Sequence, residues 1–186
     1  MTRRVYYSRR VFIKSVAGAM VVGPTALVSA CQDSNAVDRE LKFRSLRAAL
    51  DEAERLAQMA TAETDSVWSL SQTLVHCAQS IEYSMTGFPQ MKSEIFQHTA
   101  GAAAFHFFVW RGRMSHNLAE PIPGAPSLAD ETDVAVSLTR LRKSINDFEL
   151  AREPLQPHFA YGHLSKPDYE RAQTMHLANH FSVIDA

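Results

Sequence analysis

The stretch VWSLSQTLVHCAQSIEYSMTGFP, residues 67–89, has the period of an amphipathic helix. Apolar side chains recur every three or four positions, which places them on one stripe of a helix at about 100° per residue. The stripe comprises Val67, Leu70, Leu74, Ala78, Ile81 and Met85. Gly87 and Pro89 end the pattern, because glycine favours helix C-termini and proline cannot continue a helix. The pattern predicts a helix over about 66–86.

The same period indicates four further helices. They span about 38–60, 91–114, 131–151 and 166–183. The third helix in chain order is alanine-rich and then aromatic, and its small residues favour close packing against a neighbour. Ser165 and Pro167 occupy the capping positions of the last helix. No strand-like alternation of useful length occurs, so the sequence predicts an all-α bundle of four long helices plus one.

The first 31 residues are predicted to be an export signal. SRRVFIK, residues 8–14, holds the pair Arg9 and Arg10 and resembles the twin-arginine export motif. A weakly apolar stretch follows, which is too short and too broken by glycine and proline to span a membrane comfortably. LVSAC then resembles a lipobox, in which Cys31 would carry lipid. An uncleaved N-terminal anchor is the alternative. Both interpretations place the domain on the periplasmic side of a bacterial membrane.

The rest of the chain is predicted to form a polar tether, residues 32–37, and one domain, residues 38–186. The leader holds five of the 19 basic residues and no acidic one, so 14 basic residues remain against 20 acidic ones after Cys31. An acidic domain without a basic run argues against nucleic-acid binding, which depends on neutralising phosphates. The expected partners are a small molecule and, through the lipid or anchor, a membrane. A homodimer stays open.

MHLANH, residues 175–180, places His176 and His180 four positions apart on a predicted helix. Two imidazoles at this spacing share a helix face and can reach a single metal ion. A polar helix face is the alternative, and a metal site needs a third ligand from elsewhere. His158 and His163 lie in the preceding loop and could fold back onto the helix.

The other histidines give weaker signals. His98 and His106 lie in the alanine-rich helix, where a satisfied or partly exposed histidine is the common outcome. His116 follows that helix and is expected to face solvent. His76 lies off the apolar stripe of its own helix, and spacing alone predicts a polar face there.

Five motifs carry a resemblance to a known family. They are HCAQSIEYSMTGFP, AGAAAFHFFVWRGRM, IPGAP, HFAYGHLS and HLANH. Their order resembles the DinB-like superfamily, most closely its branch called domain of unknown function 1569, over most of residues 66–181. The resemblance implies a four-helix bundle with an up-down-down-up course, and an extra N-terminal or peripheral helix is expected here.

The resemblance also implies a metal site. Its three ligands would be His76, His176 and His180, and His158 would lie behind the ligands or on the wall of the pocket. The branch usually carries a further histidine and a glutamine near the pair, whereas this chain has Asn179 and then FSVIDA. Three neutral imidazoles leave a position for water, as in a catalytic zinc site, and nickel or iron would also accept these ligands.

Two functions follow as expectations. The first is a metal-dependent hydrolase or transferase of unknown substrate, and the second is a non-catalytic envelope lipoprotein that binds a ligand or partner. Glu82 is about 120° around the helix from His76, so a surface or capping role is expected rather than that of a general base. Cys77 has apolar neighbours and is expected in the core.

Overall fold

The computed structural model describes residues 38–59, 67–128, 133–152 and 154–184. These ranges contain the helices α1 (Leu46–Gln58), α2 (Leu70–Thr86), α3 (Glu94–Phe96), α4 (Ala102–Arg111), α5 (Val134–Leu150) and α6 (Lys166–Phe181). A π-helical turn, Gln97–Gly101, joins α3 to α4. No β-strand occurs in the described ranges, where an isolated bridge joins His158 and Gly162. The predicted all-α class is confirmed. The leader, with Arg9, Arg10 and Cys31, and the tether lie outside the described residues.

The core of the domain lies between α1, α2, α5 and α6. The helix α1 begins at Leu46 rather than near residue 38, because the Ser45 side chain caps it by accepting a hydrogen bond from the Ala48 N–H. Its buried face recurs every three or four residues, as an amphipathic helix requires, and comprises Leu46, Ala49, Leu50, Ala53 and Leu56. Because α1 belongs to the bundle, the extra helix is the peripheral one.

The helix α2 begins at Leu70, four residues later than predicted. Ser69 and Gln72 form a capping box: the Ser69 hydroxyl accepts from the Gln72 N–H, and the Gln72 side chain accepts from the Ser69 N–H at 2.9 Å. Val67 therefore precedes the helix and is 70% exposed, so its predicted place on the apolar stripe was wrong. The predicted end at Gly87 is confirmed, with φ at +101°.

The peripheral helix consists of α3, the π-helical turn and α4, and it ends at Arg111 with Gly112 in the left-handed region at φ +67°. Gly101 lets this helix approach the turn at residues 158–162, because a Cβ there would lie 1.9 Å from the Ala160 carbonyl oxygen. The opposite face is open, and Trp110 is 81% exposed. The predicted close packing of small residues is thus confirmed at Gly101.

The helices α5 and α6 complete the bundle. The Asp133 side chain caps α5, and the Ser165 hydroxyl caps α6 by accepting from the Asp168 N–H, with Pro167 in the first turn. This cap geometry confirms the predicted start of α6. Within the described ranges, no helix has the length and apolar character needed to cross a membrane.

Candidate metal centre

Three histidines converge where α2 faces α6. The Nε2 atom of His176 lies 3.1 Å from Nε2 of His76 and 3.1 Å from Nε2 of His180. One nitrogen from each ring falls within 4.8 Å of the others, so the three could hold one metal ion. The structure therefore brings together the three residues that the resemblance implied, from helices that are 100 residues apart in the chain.

The register of α2 against α6 produces this convergence. Ser80 is hydrogen-bonded to Gln173. Ser80 lies one turn after His76, and Gln173 lies about one turn before His176. The two helices are thus antiparallel at this level. Their facing turns bring His76 opposite the His176–His180 pair, whose spacing of four residues keeps both rings on one face.

Burial keeps the three imidazoles neutral. His76 and His180 are each 2% exposed, whereas His176 is partly exposed and lies on a cavity wall. Burial, followed by the repulsion of His116, lowers the pKa of His76 to about 3. Burial and the neighbouring histidines lower the pKa of His176 and of His180 well below its usual value. Neutral imidazole is the form that binds metals, because its second ring nitrogen has a free lone pair.

The spacing of these nitrogens suits a divalent transition metal. Ligand bonds of the length found at zinc place the nitrogens of a tetrahedral site about 3.3 Å apart, close to the two separations of 3.1 Å. His76 Nδ1 is buried and has no hydrogen-bond partner among the described residues. Without an ion, the Nε2 atoms lie within hydrogen-bond distance of one another, in donor and acceptor roles that depend on the tautomers.

Trp68 covers the cluster and was not anticipated from the sequence. Its ring is stacked at 12° against His180, with centroids 5.9 Å apart, and lies 4.7 Å from the His76 ring. It precedes the N-cap of α2, so no helical period identifies it. The indole adds to the burial of these two rings, and burial is the largest cause of their lowered pKa values.

A cavity of about 350 Å³ opens beside His76 and His176. Its walls are largely apolar and include Phe96, Met114, Ile122 and Phe159. Lys92, Glu120 and Tyr161 contribute polar groups. Burial raises the pKa of Tyr161 to about 12, so its phenol stays protonated at neutral pH and can donate a hydrogen bond. A pocket of this size and character suits a small molecule.

His158 lies on the wall of the same cavity. Its Nδ1 accepts hydrogen bonds from the backbone N–H groups of Ala160 and Tyr161, both at 3.1 Å. Nδ1 therefore carries no proton, and in the neutral ring the proton resides on Nε2. The Tyr161 ring stacks on His158 at 4.2 Å. Burial lowers the pKa of His158 to about 3.

His116 does not face solvent, and that expectation was wrong. After Gly112 ends α4, the chain turns back over α6, so that the His116 ring lies 5.1 Å from the rings of both His176 and His180. Its Nε2 is buried without a hydrogen-bond partner in the described part of the chain. The path of an irregular loop determines this position, so helical periodicity could not predict it.

The remaining predicted residues lie away from the cluster. His98, His106 and His163 are exposed. Cys77 is fully buried in the core, as predicted, and burial raises the pKa of its thiol. Glu82 forms an ion pair with Arg140, with oxygen–nitrogen distances of 2.6 and 2.9 Å, which confirms its predicted surface role. The helical pattern of α2 was misleading for His76. The face of α2 that the pattern predicted to be polar is buried against α6.

Comparison with known proteins gives one informative result. Residues 35–185 match the family described as Protein of unknown function (DUF1569). Neither the curated proteins nor the solved structures contain a match to the chain. The family match includes all three converging histidines and the cavity. Since it extends over most of the 186 residues, the chain belongs to this family of unknown function, DUF1569.

Proposed function

We propose that this protein binds a divalent transition metal, zinc or nickel, through the Nε2 atoms of His76, His176 and His180. The observation that carries the proposal is the convergence of three neutral imidazole nitrogens beside a cavity. The resemblance to the DinB-like superfamily supports the same three ligands.

We further propose that the metal serves a hydrolase or transferase acting on a small molecule. A metal in a site with three histidine ligands can polarise a substrate and lower the pKa of bound water to about 7. The chain itself provides a largely apolar pocket beside the three nitrogens. Tyr161 and His158 line this pocket and carry hydrogen-bond donors, the phenol and the Nε2–H, and Lys92 adds a cation. These groups favour a largely apolar substrate that bears an acceptor such as a carbonyl or carboxylate oxygen.

A non-catalytic binding protein is the second candidate. The apolar walls of the cavity favour this function, because they would bury a small ligand without any chemistry. Among the residues that the structure describes, the wall also offers no buried carboxylate that could act as a general base, because its acidic residue, Glu120, is exposed. A metal-loaded protein that binds small molecules but turns over none of a panel of ester, amide and thiol-transfer substrates would favour this candidate.

Metal content tests the metal proposal directly. We expect about one zinc or nickel ion per chain in protein purified without a histidine tag, and loss of that ion in His76→Ala. His106→Ala is the matched control, since it removes an exposed histidine. Elemental analysis after reconstitution with each metal provides the measurement. Wild-type protein that retains neither metal would overturn the proposal.

We propose, from sequence alone, that the protein is exported and tethered to a membrane on the periplasmic side. The arginine pair and the lipobox-like LVSAC support this proposal. Arg9→Lys combined with Arg10→Lys is expected to retain the protein in the cytoplasm, and cell fractionation measures the outcome. Normal delivery of the double variant would contradict twin-arginine export.

A further inference from the structure

His116 has one ring nitrogen engaged and the other free. Its Nδ1 lies 3.0 Å from the carbonyl oxygen of Asn117, so in the neutral ring Nδ1 carries the proton and donates it to that oxygen. Nε2 is then a bare acceptor. It is buried, yet it has no hydrogen-bond partner among the described residues.

The free nitrogen belongs to a ring that lies beside the metal cluster. The His116 ring is 5.1 Å from the rings of His176 and His180, and it lines the cavity together with His76 and His176. The group of mutually close ligand nitrogens consists of His76, His176 and His180 and does not include His116. His116 is thus adjacent to the three-histidine group on the side of the cavity, where a ligand would enter.

The surroundings hold His116 in this state. The hydrogen bond to the Asn117 carbonyl oxygen places the ring proton on Nδ1 and leaves Nε2 as the acceptor. A backbone carbonyl that accepts from the distal nitrogen is a common way to orient a functional histidine. His158, on another wall of the cavity, has the opposite tautomer, because two backbone N–H groups occupy its Nδ1. The cavity therefore offers one imidazole acceptor and one imidazole donor.

We propose that His116 is a ligand-binding residue whose Nε2 accepts a hydrogen bond from a proton-bearing molecule held at the open position of the three-histidine group. The inference rests on the proposed metal site and adds a substrate preference to it. The preferred ligands carry an N–H, O–H or S–H at the atom that meets the metal. Anions without such a proton gain nothing from His116.

Two probes that differ in this proton test the proposal. Methanesulfonamide binds zinc through its deprotonated nitrogen, which still carries one N–H, whereas azide carries no proton. In zinc-loaded protein, His116→Ala is expected to weaken methanesulfonamide binding about tenfold, the effect of losing one hydrogen bond, and to leave azide binding within about twofold. Calorimetric titration gives both affinities. His116→Gln retains an acceptor and should recover part of the loss, and His106→Ala is the matched control.

Each other result overturns the inference in a recognisable way. Equal weakening of both probes indicates general disruption of the cavity, and unchanged methanesulfonamide binding shows that Nε2 makes no such bond. Zinc loss in His116→Ala as complete as in His76→Ala would make His116 a fourth ligand. Wild-type protein that holds zinc but binds neither probe has no open position. If wild-type protein holds no metal, the proposed function fails together with this inference.

Discussion

Gln173 on α6 and Ser80 on α2 make a reciprocal pair of hydrogen bonds in the bundle interior. The Ser80 hydroxyl donates to Gln173 Oε1 at 3.0 Å, and Gln173 Nε2 donates to the Ser80 carbonyl oxygen at 2.9 Å. Both residues are buried. Because each bond satisfies a polar group of a buried residue, sliding one helix past the other would leave these groups unpaired. The pair therefore fixes the register that brings His76 to the level of His176.

Removing the Ser80 hydroxyl should weaken both the fold and the metal site. Ser80→Ala leaves Gln173 Oε1 without its donor, so we expect the free energy of unfolding to fall by about 1–2 kcal/mol. Zinc affinity should fall as well, since residues that orient metal ligands from outside the site commonly contribute about tenfold or more to metal affinity. Urea denaturation and chelator competition measure the two effects. Thr86→Ala, which removes a hydroxyl bonded within its own exposed helix turn, is the control. Unchanged zinc affinity in Ser80→Ala would show that this pair does not position the ligands.

A methyl group at Gly101 should destabilise the protein, although alanine is the better helix former. The added Cβ would meet the carbonyl oxygen of Ala160 at 1.9 Å, so the turn carrying His158 must move. We expect Gly101→Ala to lower the free energy of unfolding by about 1–3 kcal/mol, as overpacking does. Gly112→Ala is the control, since its Cβ meets nothing within 4 Å and its cost is the left-handed backbone alone. A more stable Gly101→Ala would mean that the turn is not held against this helix.

Acid should destabilise the metal-free protein through its buried histidines. Burial lowers the pKa of His158 to about 3 from 6.5, so below pH 6.5 the unfolded chain binds more protons than the folded one. The contribution of His158 to the free energy of unfolding is complete above pH 6.5, and it is lost as the pH falls from 6.5 towards 3. By linkage, His158 alone lowers the free energy of unfolding by about 2 kcal/mol at pH 5.

His158→Asn isolates this contribution. Asparagine keeps an acceptor near the position of Nδ1, where the N–H groups of Ala160 and Tyr161 donate, but it does not titrate. Urea denaturation with chelator between pH 7 and pH 5 should give a shallower pH dependence for the variant than for wild type. An equal slope in both proteins would indicate that His158 titrates normally in the folded state.

Cys31→Ser should release the protein from the membrane. The serine hydroxyl cannot form the thioether of a lipoprotein, so the variant is expected in the soluble periplasmic fraction and wild type in the membrane fraction. Immunoblotting of fractionated cells measures the distribution. Continued membrane association of the variant would favour the uncleaved anchor over the lipid.

Short-range physics made the helices predictable from the sequence. The apolar stripe of α2 and its glycine end, the Ser165 cap of α6 and the all-α class depend on residues within about one or two turns of each other. The start of α2, which the sequence pattern predicted about four residues too early, also has a local cause. Ser69 and Gln72 form a capping box that starts α2 after Val67 rather than before it.

The sequence alone determined the helices, the one-face placement of His176 with His180 and, by resemblance, the identity of His76 as their partner. Only the tertiary structure decided that the polar face of α2 is buried, because helical period reports which residues share a face and not what that face meets. It also brought His116 from a loop and Trp68 from a helix start against the cluster. Such positions depend on the path of the chain between elements, which no local pattern of side chains encodes.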